Sequence, residues 1–455
     1  MSLPNTWAKA PLSDITPSDA PILYGILQPG PEVEGGVPYV RPTEIENGGI
    51  KVTELRKTST SISKQYTRST LKAGDIILSI VGTIGKVATV PLELDGGNIT
   101  QSSCRIRVDS ELASTPFVSY FLRSNLATSQ YQAKRLGTAV PRLNIADIRQ
   151  FSIGLAPLPE QRRIVAKLDA LLSRLARARE EVDRVTNLAE QARDRAKASA
   201  FLGELTRADR KGEDTDWPES RLDEVSDVVT GSTPPTADRE RYFGGDLPFF
   251  KPTDLDAGYF VRVPRETLTA EGATRARVVP AGATLVTCIG ATIAKAGLAR
   301  VACAFNQQIN AAAPKTEIVN PKWLYWAITS PQFRNEIVAN SSATTMPIIN
   351  KGRFQALRLR IPPLWEQTII VERLEAIHSR ADRLEAEAAR ARALLDRLEA
   401  AILTKAFKGE LVPQDPNDEP ASVLLERIRA QRAAVAKEPR QPRGRRAAAS
   451  RSAKA

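Results

Sequence analysis

Three stretches carry residue types whose spacing could do chemistry. Gly82-Thr83-Ile84-Gly85-Lys86 follows the apolar run Asp75-Ile76-Ile77-Leu78-Ser79-Ile80-Val81, which puts a glycine turn and a lysine at the end of an expected strand, where a loop can cradle phosphate. Such a loop needs four residues between its glycines and a Ser or Thr after the lysine to reach magnesium. Here only Thr83 and Ile84 intervene, Val87 follows, and the related stretch Gly290-Ala291-Thr292-Ile293-Ala294-Lys295 has Ala294 in place of the second glycine. The pattern reads as a tight turn presenting a lysine. His378 is the only histidine, so it cannot supply a zinc cluster, and no nucleophile is marked out beside it for a hydrolytic triad.

Asn320-Pro321-Lys322-Trp323 is similar to the Asn-Pro-Pro-aromatic signature with which DNA amino-methyltransferases grip a target amine. The second proline is missing, and no glycine-rich strand-to-helix turn is present for a methyl donor. It reads instead as a helix start before Leu324-Tyr325-Trp326. Cys104, Cys288 and Cys303 are too few and too scattered for a disulfide framework or a zinc site, and are expected as buried thiols. What remains is recognition. Arg41, Lys86, Gln101 and Arg142 in the first half, and Lys251, Lys295, Gln307 and Gln308 in the second, are suited to phosphates and base edges: Arg and Lys to guanine and phosphate, Gln to adenine.

Two long helices must position these groups. Pro157-Leu158-Pro159-Glu160-Gln161 recurs as Pro363-Leu364-Trp365-Glu366-Gln367, 206 positions later. Each copy opens a run without internal glycine in which apolar or small residues alternate at four- and three-residue steps. The first seam includes Ile164, Leu168, Leu171, Leu175 and Val182, and the second Ile370, Leu374, Ile377, Leu384, Leu395 and Leu398. That spacing is a helix packed along a narrow stripe on another helix. A proline and a glutamate mark each start, and Gly203 and Gly409 mark the ends. Such helices are spacers of roughly 70 Å, at about 1.5 Å per residue.

The segments before the helices also repeat. Trp7, Leu12 and Ile15 match Trp217, Leu222 and Val225. Pro38-Tyr39-Val40-Arg41-Pro42 matches Pro248-Phe249-Phe250-Lys251-Pro252, and Pro141-Arg142-Leu143-Asn144 matches Pro347-Ile348-Ile349-Asn350. The expected fold class is α+β: two pseudo-repeated α/β domains, 1–156 and 217–362, separated by long helices at 157–206 and 363–412. A polar linker is expected over 207–216. A C-terminal segment, 413–455, holds a short amphipathic helix over Ala421–Arg432 and a basic, disordered tail.

The chain has 455 residues and a formal net charge of +12. Eight basic residues and one acidic residue from Gln431 to Ala455 account for +7, leaving +5 for the rest. Basic tails attract phosphates without reading sequence. No apolar run is long enough to span a bilayer and the N-terminus is not a signal peptide, so a cytoplasmic protein with no membrane partner is expected.

Leu158-Pro159-Glu160-Gln161 and Leu364-Trp365-Glu366-Gln367, with Ile164-Val165 and Ile370-Val371, the Gly231-Ser232-Thr233-Pro234 turn, and the ending Lys405-Ala406-Phe407-Lys408-Gly409-Glu410-Leu411-Val412-Pro413 resemble the DNA-specificity subunit of type I restriction-modification systems. The resemblance covers about Trp7 to Arg432. The first half lacks a clean Gly-Ser-Thr-Pro turn, and Gly85 is replaced by Ala294. The resemblance implies two target-recognition domains, each reading half of a bipartite site in double-stranded DNA, and two helices paired as an antiparallel coiled coil. The seam itself balances volumes in a parallel pairing as well. It further implies a non-catalytic chain that binds no cofactor, with the methyl donor, ATP and magnesium belonging to partner methyltransferase modification subunits and restriction nuclease/translocase subunits. The alternative reading is a coiled-coil interaction scaffold with two protein-binding heads and no base reading. Leu171→Pro is expected to remove about 3 kcal/mol of helix stability and abolish assembly with partner subunits, and unchanged assembly in size-exclusion chromatography would sink the spacer reading.

Overall fold

Residues 76–79 form a strand buried along its whole length, as four consecutive apolar or small residues, Ile76, Ile77, Leu78 and Ser79, require of a strand covered on both faces. It is a central member of a four-stranded antiparallel sheet in the order Leu23–Tyr24, Ser103–Ile106, Ile76–Ser79, Val87–Thr89. The second half repeats this sheet as Ser226–Thr230, Ile309–Pro314, Thr284–Thr287, Ala296–Leu298. Both halves add a second sheet, of three strands in the first and four in the second, containing one parallel pairing: Tyr39 with Asn98 and Val40 with Ile99 in the first, Phe249 with Ala304 and Phe250 with Phe305 in the second. Both also join their first and last strands antiparallel, Ala8–Pro11 with Ser152–Leu155 and Glu219–Arg221 with Arg358–Arg360. The sequence repeat is therefore a repeat of pairing, not only of composition.

The computed structural model describes residues 3–46, 48–137, 139–210, 216–257, 259–261, 263–342 and 346–437. The expected basic tail beyond residue 437 and the central part of the expected linker, residues 211–215, lie outside the described residues. The chain divides into two compact units, residues 1–180 with 392–455, and residues 181–391. Each unit contains one globular half, the start of the helix that follows it and the end of the other helix.

The long helices run over Leu158–Phe201 and Leu364–Phe407. Both end on glycines in the left-handed conformation, Gly203 at φ 75° and Gly409 at φ 76°, and the amides of Glu204 and Glu410 reach back to the Ser199 and Lys405 carbonyls, each at 2.9 Å. The direction of pairing is written in the ion pairs. In the first unit Arg179 meets Asp396 and Glu399, both at 2.7 Å. In the second, Arg193 meets Asp382 at 2.5 Å and donates to Glu385 at 2.9 Å. Moving from 179 to 193 up the first helix moves the acidic partners from 396 to 382 and from 399 to 385 down the second, so the helices are antiparallel. With the 206-residue offset, position 179 corresponds to 385 and position 193 to 399; the pairs Arg179–Glu399 and Arg193–Glu385 therefore use the same two positions of the repeat with the helices exchanged.

Burial along the seam is uneven. Ile164, Leu168, Leu175, Ile370 and Leu374 are buried, and Leu171, Val182, Ile377 and Leu395 are half-buried. Leu384 and Leu398 are exposed, at 39% and 48%. Further seam positions, Ala189, Ala196, Ala381 and Ala388, are buried.

Glu160 and Gln161, and their repeats Glu366 and Gln367, explain why the helix starts are duplicated so closely. All four are buried. The Trp7 indole N–H donates to Glu160 at 3.0 Å, and the Trp217 indole to Glu366 at 3.0 Å. The Gln161 amide donates to the carbonyls of Leu112 and Ala156 at 3.2 and 2.8 Å while its oxygen accepts from the Ser114 amide at 2.8 Å. Gln367 does the same with Ile318 and Pro362 at 3.1 and 2.8 Å, and with Asn320 at 2.7 Å. One glutamate–glutamine pair thus ties the entry, the middle and the exit of each domain to a helix start. The far helix end closes the same core from the other side, with Phe407 against Phe117 at 5.1 Å and Phe201 against Trp323 at 5.9 Å.

The C-terminal helix, Ala421–Lys437, belongs to the first unit. It buries Ala421, Leu425 and Ile428, and Arg432 pairs with Asp109 at 2.6 Å.

Burial opposes the Glu160 charge and raises its pKa, while the Trp7 indole and Arg163 act the other way. Because the folded carboxyl binds its proton more tightly than the unfolded one, this residue's contribution to stability falls as pH rises from the ordinary glutamate range through its folded pKa. Glu160→Gln, which keeps the acceptor without the charge, is expected to unfold no more readily than the parent at pH 7. Glu160→Leu, which orphans the Trp7 N–H, is expected to cost about 1–3 kcal/mol in denaturant unfolding, and equal midpoints for the two variants would contradict the assigned hydrogen bond.

Candidate nucleic-acid interface

In the first unit the turn after strand Ile76–Ser79 is built by Gly82 and Gly85, both in the left-handed region, at φ 73° and 93°. The Ser79 hydroxyl donates to the Thr83 carbonyl at 2.6 Å and accepts from the Lys86 amide at 2.8 Å, closing a tight loop. Two other segments dock on this loop. Gly82 donates to the Pro141 carbonyl at 2.8 Å, with Val81 bridged to Arg142, and the Ile80 amide donates to Ser102 at 2.8 Å, next to Gln101. The Lys86 ammonium donates to the Pro42 carbonyl at 2.9 Å, beside Arg41. The fold therefore brings Arg41, Lys86, Gln101 and Arg142 into one loop cluster from four separate stretches of chain.

These four differ in freedom. Gln101 and Arg142 are exposed, and Lys86 is half-buried. Arg41 is committed: its guanidinium forks onto the buried Glu44, whose carboxylate also accepts the Arg41 amide at 2.7 Å and the Thr43 hydroxyl at 2.7 Å. Burial works against the Glu44 charge, but the hydrogen bonds from Arg41 and Thr43 outweigh it and hold the carboxyl below its ordinary range. Arg41 acts first as the cap of the Pro42–Glu44 turn.

The second unit builds the same cluster with other side chains. Gly290 donates to the Pro347 carbonyl at 2.9 Å, Ile289 bridges Ile348, and the Cys288 amide donates to Gln308 at 2.8 Å. Ala294 keeps the left-handed conformation of Gly85, at φ 66°, so the loop geometry survives the loss of glycine. Lys251 caps its turn through an amide bond to Asp254 at 2.8 Å and pairs with Glu266 at 2.9 Å. Lys295 and Gln308 are half-buried. Gln307 is exposed and accepts from the Thr233 hydroxyl at 2.8 Å. The counterpart of Arg142 is Ile348, exposed at 39%.

The Gly231-Ser232-Thr233-Pro234 turn exists because backbone runs against backbone: a Cβ at Gly231 would collide with the carbonyl oxygens of Asn306 and Phe305. Gly25 holds the equivalent place in the first unit, against the Ile99 carbonyl, with Ile26 donating there at 2.7 Å as Ser232 donates to Phe305 at 3.0 Å. The turn that the sequence leaves missing in the first half is present and has retained only its glycine. Sequence reasoning also passes over Arg135, exposed and adjacent to Leu136, which pairs with Arg142. Tyr24, Leu27 and Val140, exposed at 52%, 50% and 61%, were missed as well. Large apolar residues in turns were the available signal.

The other stretches have structural uses. Asn320 caps helix Pro321–Ile328, its side chain accepting from the amides of Lys322 and Trp323. The three cysteines are buried and free, and burial pushes each thiol up to about 12. Among the described residues, no group of acidic, histidine or cysteine side chains is gathered to hold a metal, and no helix is long and apolar enough to cross a membrane.

The family model for the type I restriction modification DNA specificity domain matches the chain twice, over residues 5–183 and 214–390. The chain belongs to this family. Among its relatives, the EcoKI specificity subunit of Escherichia coli K12 is 24% identical over 457 residues, covering 95% of this chain and 97% of the relative. The EcoBI specificity subunit of Escherichia coli is 29% identical over 208 residues, 45% of this chain and 43% of that one. A chain solved in work on complex assembly and conformational transition of the type I R-M system superposes with a TM-score of 0.71 at 27% identity, covering 90% of this chain and all of the other. The specificity subunit is a DNA-recognition subunit, not a catalytic one.

Gly231→Ala in the specificity subunit is expected to cost about 1–3 kcal/mol, because only backbone can yield. An unchanged unfolding midpoint would show that the turn relaxes.

Proposed function

We propose that each domain of this specificity subunit reads one half of a bipartite target in double-stranded DNA through its loop cluster. The paired long helices act as the spacer that sets how many unread base pairs lie between the halves. The observation that carries this is the conservation of the cluster's backbone frame between the two units, Gly82 to Pro141 and Gly290 to Pro347, combined with the change of the side chains it presents, Arg142 in one and Ile348 in the other. A frame held constant while its exposed side chains vary suits two half-sites of different sequence.

In the first cluster Arg142 and Gln101 are the base readers, Lys86 meets phosphate and Arg41 shapes the turn. In the second, Gln307 and Gln308 read while Lys251 and Lys295 meet phosphate, and Ile348 offers apolar contact of the kind a thymine methyl accepts. The Glu-Gln clamps and paired helices give modification subunits, which carry the methyl-donor chemistry, and nuclease/translocase restriction subunits a common frame for assembly. Methyl donor, ATP and magnesium belong to those partners, and this subunit binds none of them for the reaction. It works in the cytoplasm, on chromosomal and incoming DNA.

Single-molecule sequencing of native DNA should find a split methylated motif that disappears when the gene is deleted, and its persistence would overturn the reading. With that motif as probe, Arg142→Ala is expected to weaken binding by about 10–100-fold at fixed salt, corresponding to about 1–3 kcal/mol, and to relax the preference in one half-site only. Equal weakening on every sequence would reduce Arg142 to a phosphate contact.

A further inference from the structure

The second unit holds a cavity of about 610 Å³ that neither the clamp nor the loop cluster uses. Tyr259, Tyr325, Trp326 and His378 give it aromatic walls, and Lys197 and Arg300 stand on it as cations. The rings pack on one another, Tyr259 on Trp326 at 4.9 Å and 28° and His378 on Trp326 at 4.5 Å, with Trp326 buried and Tyr259 and His378 part-exposed. The size falls within the range of about 300–1,000 Å³ typical of small-molecule sites.

Charge decides what the cavity would take. Its two carboxylates are already engaged, Glu375 by Lys322 at 2.8 Å and Asp382 by Arg193 at 2.5 Å. Its two cations are not. Among the described residues Lys197 and Arg300 have no carboxylate within ion-pair distance and lie instead over rings, Lys197 over Trp326 at 5.8 Å and Arg300 over Phe260 at 4.2 Å. Burial, opposed by the charge of Asp194, lowers the Lys197 pKa, the state of an ammonium short of an anion. A buried polar atom is also left over. The Trp326 indole N–H faces the Tyr259 hydroxyl, and the His378 Nε2 is without a hydrogen bond. Buried groups of this kind are rarely left unpaired without a reason. Burial first, then Lys197 and Arg193, push His378 down to about 4, so the ring is neutral at pH 7 and adds no charge of its own.

The first unit shows that the fold does not need this cavity. At the 206-residue offset Trp326 corresponds to Tyr120, Glu375 to Asp169 and His378 to Leu172, and Lys197 corresponds to the buried Leu403. There the Tyr120 hydroxyl donates directly to the Asp169 carboxylate, and leucines stand in the places of His378 and Lys197. The same positions carry a tyrosine–aspartate hydrogen bond and two leucines in one copy, and aromatic and cationic side chains in the other.

We propose that the cavity of the second unit binds a nucleoside phosphate, its base laid against the part-exposed rings of Tyr259 and His378 and its phosphate met by Lys197 and Arg300. Aromatic faces accept any base, and an unpaired lysine and arginine supply the charge-assisted bonds that a phosphate takes. The nucleotide comes either free or as a residue of a single strand. Both sources present the same chemistry.

Isothermal titration of the full chain with adenosine 5′-monophosphate, uridine 5′-monophosphate, inorganic phosphate and a short single-stranded oligonucleotide tests this. Saturable binding of a mononucleotide is expected, with Lys197→Met and Arg300→Gln each weakening it by about tenfold or more while leaving the melting temperature unchanged. Both residues lie outside the loop clusters and the clamp. Binding of the oligonucleotide alone, lost to the same degree in both variants, supports the site and identifies a strand as the source. No saturable binding of any nucleotide, inorganic phosphate binding as tightly as the nucleotides, or affinities unchanged in both variants would overturn it.

Discussion

The structure depends on one buried pair, a glutamate followed by a glutamine at the first turn of each long helix. Gln161 and Gln367 are each fully buried and fully used, donating twice and accepting once, all to backbone. A buried amide in that position is costly unless every bond is made, so the pair specifies one seating of the domain on the helix and no other. Glu160 and Glu366 add the tryptophan from the domain's first segment. In the second unit Glu366 also takes the Thr206 hydroxyl and the Arg210 guanidinium, a closure the first unit lacks. The clamp is therefore common, and its surroundings are specific to each copy.

That constraint separates what may vary from what may not. The clamp and the helix ends meet in the domain cores, at Phe117 and Phe407 in one unit and Trp323 and Phe201 in the other. The loop clusters are held by backbone bonds, Gly82 to Pro141 and Gly290 to Pro347, which do not depend on side-chain identity. Arg142 can become Ile348, and Gly85 can become Ala294, without moving the frame. A recognition protein built this way can change what its loops read while its core and spacer stay as they are.

The candidate site was partly legible in advance. Lys86, Gln101 and Arg142 stand on loops because turn residues flank them, and the pairing of strands collects those loops at one place. Arg41 was legible as a cation but not as a committed one, because its bond to Glu44 depends on a turn that closes only when Pro42 and Glu44 fold back on it. The first copy's glycine turn was invisible, since a single Gly25 carries no pattern, and its role appears only when Ile99 is laid beside it. The cavity around His378 was illegible for the same reason: its walls come from residues 197, 259, 325 and 378, which no spacing rule connects.

Sequence alone determined the two long helices, their start at a proline and glutamate, their stop at Gly203 and Gly409, and the duplication of the domains before them. These are local or periodic properties, set by caps, heptad spacing and repeated order, and they need no knowledge of neighbours. Tertiary structure decided the direction in which the helices pair. Apolar seams balance in either direction, because leucine and alanine contacts carry no polarity, whereas Arg179 with Glu399 and Arg193 with Glu385 can form together only when the helices run opposite ways. It also decided which cations are free, because a guanidinium's partner is set by what the fold places within about 3 Å of it, and sequence distance does not measure that.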